Sequence, residues 1–280
     1  MRRLIPVRLR EVALEALSPT RCASCECPGA LVCERCEQGI VRIDPALSCT
    51  RCGAPFGSLI CTECGPQRGF EPEPEPTAAP GFGAVPTPGA ATSAASSAPA
   101  PAAPRPPLAM DRCLAAAVFA GPPARIVRAY KDGGERRLAP WIARELLAAA
   151  LRAEREAPER YGGILSGAAG IVFVPVTAEA FCRRGFDHME LVARELAAAA
   201  EKPLVDALVK HGRADQRALG RQGRLSSAGG AYETVLDVAG LDLLLVDDVI
   251  TTGATVSAAA AALKRAGAGR VDVLAFARVW

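Results

Sequence analysis

Short apolar runs alternate with alanine-rich segments along the C-terminal part of the chain. The apolar runs place hydrophobic residues at successive positions, so both faces of each strand are expected to be buried. The predicted strands are 170–176, 241–249 and 271–279, with a further candidate at 203–209. The predicted helices are about 137–156, 191–200 and 254–267, the first of them after a turn at 132–134. This alternation predicts an α/β domain with a parallel sheet.

The pattern breaks off before this domain and divides the chain into three segments. Residues 71–109 contain eleven prolines and twelve alanines, almost no large apolar residue and no hydrophobic periodicity. Such a segment cannot bury enough surface to offset its ordering entropy, so we interpret it as a disordered linker. A proline-rich ligand for a partner domain is the alternative. Residues 1–70 then form an N-terminal helix and a cysteine-rich module, and residues 110–280 form the α/β domain.

Composition restricts the location but not the partner. The chain contains no run of 18 uninterrupted apolar residues, which argues against insertion into a membrane. Residues 1–17 carry arginines but no apolar core before a small-residue cleavage site, so we expect no signal peptide and a cytoplasmic location. The formal net charge of +3 indicates no class of partner by itself.

Nine of the eleven cysteines lie between residues 22 and 64, and eight of them form CxxC pairs. Without an export signal, this density favours metal ligands over disulfides. Local pairing predicts two structural Zn²⁺ sites, because two CxxC turns complete one tetrahedron. The first site would comprise Cys22, Cys25, Cys33 and Cys36, and the second Cys49, Cys52, Cys61 and Cys64. Redox dithiols and crossed pairing between the two groups are the alternatives, and Cys27 is interpreted as a bystander.

The module carries little that would read nucleic-acid bases. Phe56 and Phe70 are its only aromatic residues, and its basic and acidic residues nearly balance. A structural or protein-contact role is therefore favoured over base-specific recognition.

Residues 243–255 combine a buried strand, two acids, a threonine- and glycine-containing turn and the start of a helix. Backbone N–H groups, threonine hydroxyls and a helix N-terminus converge there, which favours phosphate binding. Asp247 and Asp248 would repel that phosphate, so they suit ribose hydroxyls or a cation. The segment matches neither a Walker loop nor a dinucleotide-binding fingerprint. A polar strand end followed by an ordinary helix cap is the alternative.

This segment resembles the phosphoribosyl pyrophosphate (PRPP) motif of type I phosphoribosyltransferases. The resemblance implies that Asp247 and Asp248 bind the ribose hydroxyls and that Mg²⁺ accompanies PRPP. It further assigns a set of turn residues to the 5′-phosphate. These residues are Thr251, Thr252, Gly253, Ala254 and Thr255.

The whole chain apart from the linker resembles the ComF family, in which an N-terminal zinc ribbon precedes a phosphoribosyltransferase-like domain. Segments 119–134, 174–197 and 216–233 support the resemblance, the first leading to Lys131 and the second centred on Arg184-Gly185-Phe186. Asp187 and His188 stand where the family usually has asparagine and glutamine. His188 is interpreted mainly as a surface residue of a helix.

Two arginine clusters are candidates for pyrophosphate binding. Residues 174–177 resemble the loop that holds pyrophosphate in phosphoribosyltransferases, and they lead to Arg183 and Arg184. Arg217, Arg221 and Arg224 resemble part of a flexible loop over the active site, and they would share one face if helical. A solvated basic turn or loop is the alternative in each case.

Three functional hypotheses follow. The first is a phosphoribosyltransferase that uses PRPP and Mg²⁺ with an unknown acceptor. The second is a non-catalytic protein that senses PRPP or a nucleotide. The third is a protein that handles single-stranded DNA, which the resemblance supports because ComF proteins are linked to DNA uptake; its partners would be single-stranded DNA or DNA-uptake proteins.

Overall fold

The computed structural model describes residues 19–66, 108–212 and 231–280. The predicted N-terminal helix, the predicted linker up to residue 107 and the three arginines Arg217, Arg221 and Arg224 lie outside the described residues. Within the described residues, no helix is both long enough and apolar enough to cross a membrane.

The cysteine-rich module is built mainly from turns. Helix α1 comprises Glu34–Gln38, and strands β1 (Ile60–Cys61) and β2 (Gly65–Pro66) pair in antiparallel orientation. The buried apolar cluster around the second group of cysteines consists of Cys49, Cys52, Ala54 and Cys61. A core this small leaves most of the module's cohesion to its thiol groups.

The large domain alternates strands and helices as predicted. Its first half contains β3 (Arg112–Val118), α2 (Pro122–Lys131), a 3-10 turn (Arg136–Leu138), α3 (Ala139–Glu156), α4 (Pro158–Tyr161) and β4 (Gly170–Phe173). Its second half contains α5 (Ala178–Arg184), α6 (His188–Ala199), β5 (Leu208–Lys210), β6 (Tyr232–Thr234), β7 (Leu243–Ile250), α7 (Ala254–Arg265) and β8 (Val271–Arg278).

Four strands form a parallel sheet in the order β3-β8-β7-β4, and this confirms the predicted fold class. Every residue of β8 is buried, as expected for a strand covered on both faces. Successive residues of the central strands contribute to opposite faces: Leu244 and Phe276 lie in one core, Leu245 and Val273 in the other. Helices α2, α3 and α6 cover the first face, and α7 covers the second.

The sequence interpretation left β3, α2 and α5 unassigned, and it placed one strand too early. The segment 203–205 runs beside β4 through a single bridge between Leu204 and Ile171, and β5 begins only at Leu208. Strand β3 is alanine-rich, so its local sequence gives little preference for strand. Its conformation depends on pairing with β8 and with the module.

The module packs against the outer edge of β3. The Ile43 amide donates to the Ala116 carbonyl at 3.0 Å, and the Val118 amide donates to the Val41 carbonyl at 2.9 Å. Arg42 also forms a salt bridge with Glu145 of α3 at 2.8 Å. The module therefore covers what would otherwise be an exposed sheet edge, and it is in direct contact with the large domain.

Candidate functional site

Two adjacent carboxylates occupy the C-terminal part of β7. Asp247 and Asp248 are both buried. One carboxylate oxygen of Asp248 accepts from Lys131 Nζ at 2.7 Å and lies 3.2 Å from His188 Nε2. The acid pair thus lies at the end of a parallel strand, where open α/β sheets bind their ligands.

The two carboxylates differ in their protonation. Burial, together with the charge of Asp248, raises the pKa of Asp247 to about 8. Burial acts on Asp248 in the same direction, but the His188 hydrogen bond and the Lys131 ammonium outweigh it and hold the pKa of Asp248 below its usual range. At neutral pH one carboxyl is therefore largely protonated, whereas the other is ionised.

This asymmetry predicts how Asp247 affects stability. Because its pKa is raised on folding, the folded chain retains a proton that the unfolded chain loses above about pH 4. The contribution of Asp247 to stability therefore falls as the pH rises through this window towards about 8. Asp247→Asn should gain stability relative to wild type from pH 5 to pH 8, by at most about 1.4 kcal/mol per pH unit. Denaturant unfolding at several pH values measures this difference, and a constant difference would contradict the assignment.

The turn after β7 exposes polar groups towards solvent. Thr251 and Thr252 are exposed, and the Thr252 hydroxyl accepts from the Ala254 amide at 3.4 Å. Gly253 caps α7 with a φ of 79°, a conformation that favours glycine. The first N–H groups of α7 have no acceptor within the helix and open onto this turn. The turn thus carries backbone N–H groups and threonine hydroxyls at the start of α7.

The acid pair borders a cavity of about 270 Å³. We call this space the acid-pair cavity; segment 174–177, α5 and the cations Lys131, Arg184 and Lys210 form its other walls. Thr255 also lines it, and a small recess at the turn, lined by Asp247, Thr251 and Gly253 among others, adjoins it. The two cavities share Asp247, Val249 and Thr255, so the acids and the turn after β7 lie side by side.

Segment 174–177 is fixed in place by Asp187. This residue caps α6 by accepting from the Met189 and Glu190 amides, and its second oxygen accepts from the Val176 amide at 2.9 Å. Since the Val174 amide donates to the Val246 carbonyl, both amides are engaged within the protein. An anion in the acid-pair cavity would therefore be held mainly by the side-chain cations.

The structure separates the two neighbouring arginines of α5. Arg184 is largely buried and lines the acid-pair cavity, whereas the Arg183 side chain is 63% exposed. Arg183 lines a second cavity of about 320 Å³, which shares Lys131 and Arg184 with the first. Only Arg184 of this pair therefore reaches the acid-pair cavity.

His188 is buried, and its interpretation as a surface residue was wrong. It begins α6 and turns its ring inward between Asp248 and the ring of Tyr130. The Tyr130 hydroxyl donates to the His188 carbonyl at 2.5 Å, which fixes the backbone at this point. The sequence shows a histidine directly before an apolar helical run. Its partner Asp248 is 60 residues away, so the local sequence does not reveal this contact.

We expect His188 to orient the Asp248 carboxylate. His188→Ala removes one of its two side-chain donors, and ligand affinity should fall about tenfold. His188→Gln retains a hydrogen-bond donor of similar reach and should restore most of that affinity. A residue that only filled space would not give this difference between glutamine and alanine. Calorimetric titration of both variants with PRPP measures the effect. Equal affinity for the alanine and glutamine variants would contradict this role.

Lys210 also contributes to the acid-pair cavity, although the sequence shows it only as part of a basic segment. Its ammonium lies 5.2 Å from the centre of the Tyr232 ring and lines the acid-pair cavity. Burial lowers the pKa of Lys210, although the charge of Asp247 opposes this effect. Lys131, Arg184 and Lys210 together offset the negative charge that a phosphorylated ligand would bring.

The eight cysteines of the CxxC pairs assemble into two groups in the locally paired arrangement. One group is Cys22, Cys25, Cys33 and Cys36, and the other is Cys49, Cys52, Cys61 and Cys64. Within each group the sulfur atoms lie within 4.8 Å of one another, and Cys25–Cys33 and Cys52–Cys61 are 3.6 Å apart. A tetrahedral Zn²⁺ with bonds of about 2.3 Å requires sulfur separations of about 3.8 Å. Both groups could therefore bind zinc, and Cys27 belongs to neither.

The comparisons with known proteins agree with this geometry. Residues 181–279 match the phosphoribosyl transferase domain model. The "DNA utilization protein YhgH" of Salmonella typhimurium strain LT2 is 30% identical over 176 residues, which cover 60% of this chain and 72% of that protein. The protein of the same name from Escherichia coli strain K12 is 29% identical over 174 residues, with the same coverage.

This chain belongs to the ComF family. The matched domain contains the acid pair, the turn after β7 and the arginines of α5. The paired cysteine groups of the module fit the zinc ribbons of a ComF protein. In this ComF protein the cysteine-rich module contacts the sheet edge directly, although residues 67–107 separate the two parts in sequence.

Proposed function

We propose that this ComF protein binds PRPP with Mg²⁺ and transfers its phosphoribosyl group to an acceptor. The observation that carries the proposal is that the acid-pair cavity, which contains three cations, and the recess at the turn after β7 share Asp247, Val249 and Thr255 as lining residues. Asp247 and Asp248 would bind the ribose hydroxyls. Thr251, Thr252, Gly253, Ala254 and Thr255 would bind the 5′-phosphate, and Arg184, with Lys131 and Lys210, would bind the pyrophosphate.

The reaction displaces pyrophosphate from the anomeric carbon of the ribose. The bond between the anomeric carbon and the pyrophosphate oxygen breaks, and its electron pair leaves with the pyrophosphate. The acceptor then forms the new bond to the anomeric carbon. Mg²⁺, which prefers oxygen ligands and retains substrate phosphates, would offset the charge on the leaving group. The protein would hold the 5′-phosphate at the turn after β7, the ribose at the acids and the pyrophosphate at the cations, so that the anomeric carbon lies between the acids and the cations. Arg183 remains a candidate for binding pyrophosphate, and Arg217, Arg221 and Arg224 remain candidates for a flexible loop over the active site.

A pyrophosphate-release screen tests for catalysis. Zinc-loaded protein with PRPP and Mg²⁺ is expected to release pyrophosphate when the correct acceptor is supplied from a panel of nucleobases. Asp237→Asn, a substitution at an exposed position, serves as the matched control for Asp247→Asn with Asp248→Asn. Release that is equal in the active-site variant and in the control would contradict transfer at this site.

A second candidate is a non-catalytic PRPP- or nucleotide-binding protein that acts in DNA uptake or single-stranded DNA handling. The relatives' printed name, which refers to DNA utilization, favours it. The cationic wall around Lys131, Arg183 and Arg184 would suit a phosphate backbone. This candidate predicts salt-dependent binding of a single-stranded oligonucleotide that weakens when Arg217 and Arg221 are replaced, together with PRPP binding that releases no pyrophosphate.

The domain boundaries belong to the same proposal. We propose a double zinc ribbon within residues 1–70, a linker at 71–109 and a phosphoribosyltransferase-like domain at 110–280. The contacts along β3 support a module that docks on the domain.

A further inference from the structure

Arg278, at the end of β8, is fully buried and carries a charge that the proposed reaction does not use. A buried guanidinium is tolerated only when its donors are matched by acceptors. Its ion pair is with Glu63 of the cysteine-rich module. Glu63 lies between Cys61 and Cys64, which both belong to the second cysteine group. The buried charge of Arg278 is therefore balanced by a carboxylate of the cysteine-rich module.

The remaining donors of Arg278 connect the module with the turn after β7. Nε donates at 3.0 Å to the backbone carbonyl of Cys52, another cysteine of the second group. Nη1 donates to the Thr251 carbonyl at 2.6 Å, to the carbonyl of Val279, and more weakly, at 3.4 Å, to the Ile250 carbonyl, which also accepts from the Val279 amide at 2.9 Å. The Ile250 and Thr251 carbonyls lie at the end of β7 and at the start of the proposed 5′-phosphate site. One planar side chain thus joins the second cysteine group to that site.

We propose that Arg278 is a positioning residue through which metal in the second cysteine group orients the 5′-phosphate turn. This inference rests on the proposed function, because it concerns the same phosphate site. The guanidinium fork is rigid, so a fixed Cys52 carbonyl and Glu63 carboxylate set its plane, and that plane sets the Thr251 carbonyl. The Thr252 N–H group shares a peptide plane with this carbonyl and therefore follows its orientation.

Metal would supply most of the cohesion within the second cysteine group, because in the described residues its own core is small and only Leu108 packs against it from outside the group. Its buried cluster consists of three cysteines and Ala54. A thiolate cluster of this kind holds its fold through the metal. Loss of the metal should release the Cys52 carbonyl and Glu63 together and leave the turn less ordered.

The first cysteine group provides an internal control. Its contacts with the domain run to a different region: the hydroxyl of Ser24, close to Cys22 and Cys25, accepts from Arg125 of α2 at 3.1 Å. Glu37, next to Cys36, pairs with Arg144 of α3 at 3.1 Å. Changes in the first group should therefore leave the 5′-phosphate turn unaffected.

The experiment compares matched variants of the full-length, zinc-loaded protein. Glu63→Gln keeps every cysteine and removes only the carboxylate charge that faces Arg278, and Glu37→Gln is its control. Cys61→Ser with Cys64→Ser removes the second metal site, and Cys25→Ser with Cys33→Ser is the control. Calorimetric titrations use two fragments of PRPP. Ribose 5-phosphate reports on the turn after β7, and pyrophosphate with Mg²⁺ reports on the proposed pyrophosphate ligands Lys131, Arg184 and Lys210.

Glu63→Gln and the second-site cysteine variant are expected to lower the affinity for ribose 5-phosphate about tenfold, while pyrophosphate affinity stays within about twofold of wild type. Hydrogen exchange of amides 251–255 should accelerate in both variants and in neither control. Unchanged exchange, or equal loss of affinity for both fragments, would overturn the coupling. Wild-type protein that binds neither fragment would instead overturn the proposed function and with it the phosphate part of this inference.

Discussion

Replacing both acids of the pair, Asp247→Asn with Asp248→Asn, is expected to abolish measurable PRPP binding. The ionised Asp248 carboxylate forms a charge-assisted hydrogen bond of about 1.5–3 kcal/mol with a ribose hydroxyl, and the neutral Asp247 carboxyl forms one of about 0.5–1.5 kcal/mol. Losing both therefore lowers affinity by at least about 30-fold. The substitutions preserve side-chain volume at two buried positions. Calorimetric titration with PRPP and Mg²⁺ measures the loss.

The fold should survive this change, and the control must show that it does. Lys131 and His188 keep an uncharged acceptor at position 248, so the circular dichroism spectrum and the zinc content should match wild type. Asp237→Asn should bind as wild type does, because Asp237 is exposed. Wild-type affinity in the double variant would refute the assignment of the acids to ribose.

The second large effect concerns zinc. Metal analysis should find about two zinc atoms per chain, one for each cysteine group. Removing them with a chelator should lower the midpoint of thermal unfolding by at least about 10 °C, because structural thiolate sites supply much of the folding free energy of small modules. The module covers the edge of β3, so part of this loss should reach the large domain.

Cysteine variants separate this account from the redox alternative. Cys27→Ser and Cys182→Ser should keep the full zinc content, since neither residue belongs to a group. Cys49→Ser should lose about one zinc. Protein that contains no metal and carries disulfides between the CxxC cysteines would overturn the zinc interpretation.

The acid pair and the turn that follows it could be predicted from sequence because their geometry is local. A buried apolar strand, two acids, a glycine in a left-handed conformation and a helix start are all specified within residues 243–255. Strand β3 was missed for the opposite reason. Its residues 114–117 are leucine and three alanines, and only pairing with β8 makes them a strand.

The partners of the site residues could not be predicted, since they come from distant parts of the chain. Lys131 and Asp248 are 117 residues apart, and Glu63 and Arg278 are 215 apart. A clue to Arg278 was nevertheless present: an arginine at the end of a mostly apolar final strand must find buried acceptors. The sequence also placed Arg183 and Arg184 together, whereas in the structure both line the second cavity and only Arg184 lines the acid-pair cavity.

The most direct test of the central claim is a calorimetric titration of the zinc-loaded, full-length protein with PRPP in the presence of Mg²⁺. The account predicts saturable binding with one PRPP per chain, lost in Asp247→Asn with Asp248→Asn and retained in Asp237→Asn. Absence of binding by correctly folded, zinc-loaded wild-type protein would contradict the assignment of the acid pair and the turn to PRPP.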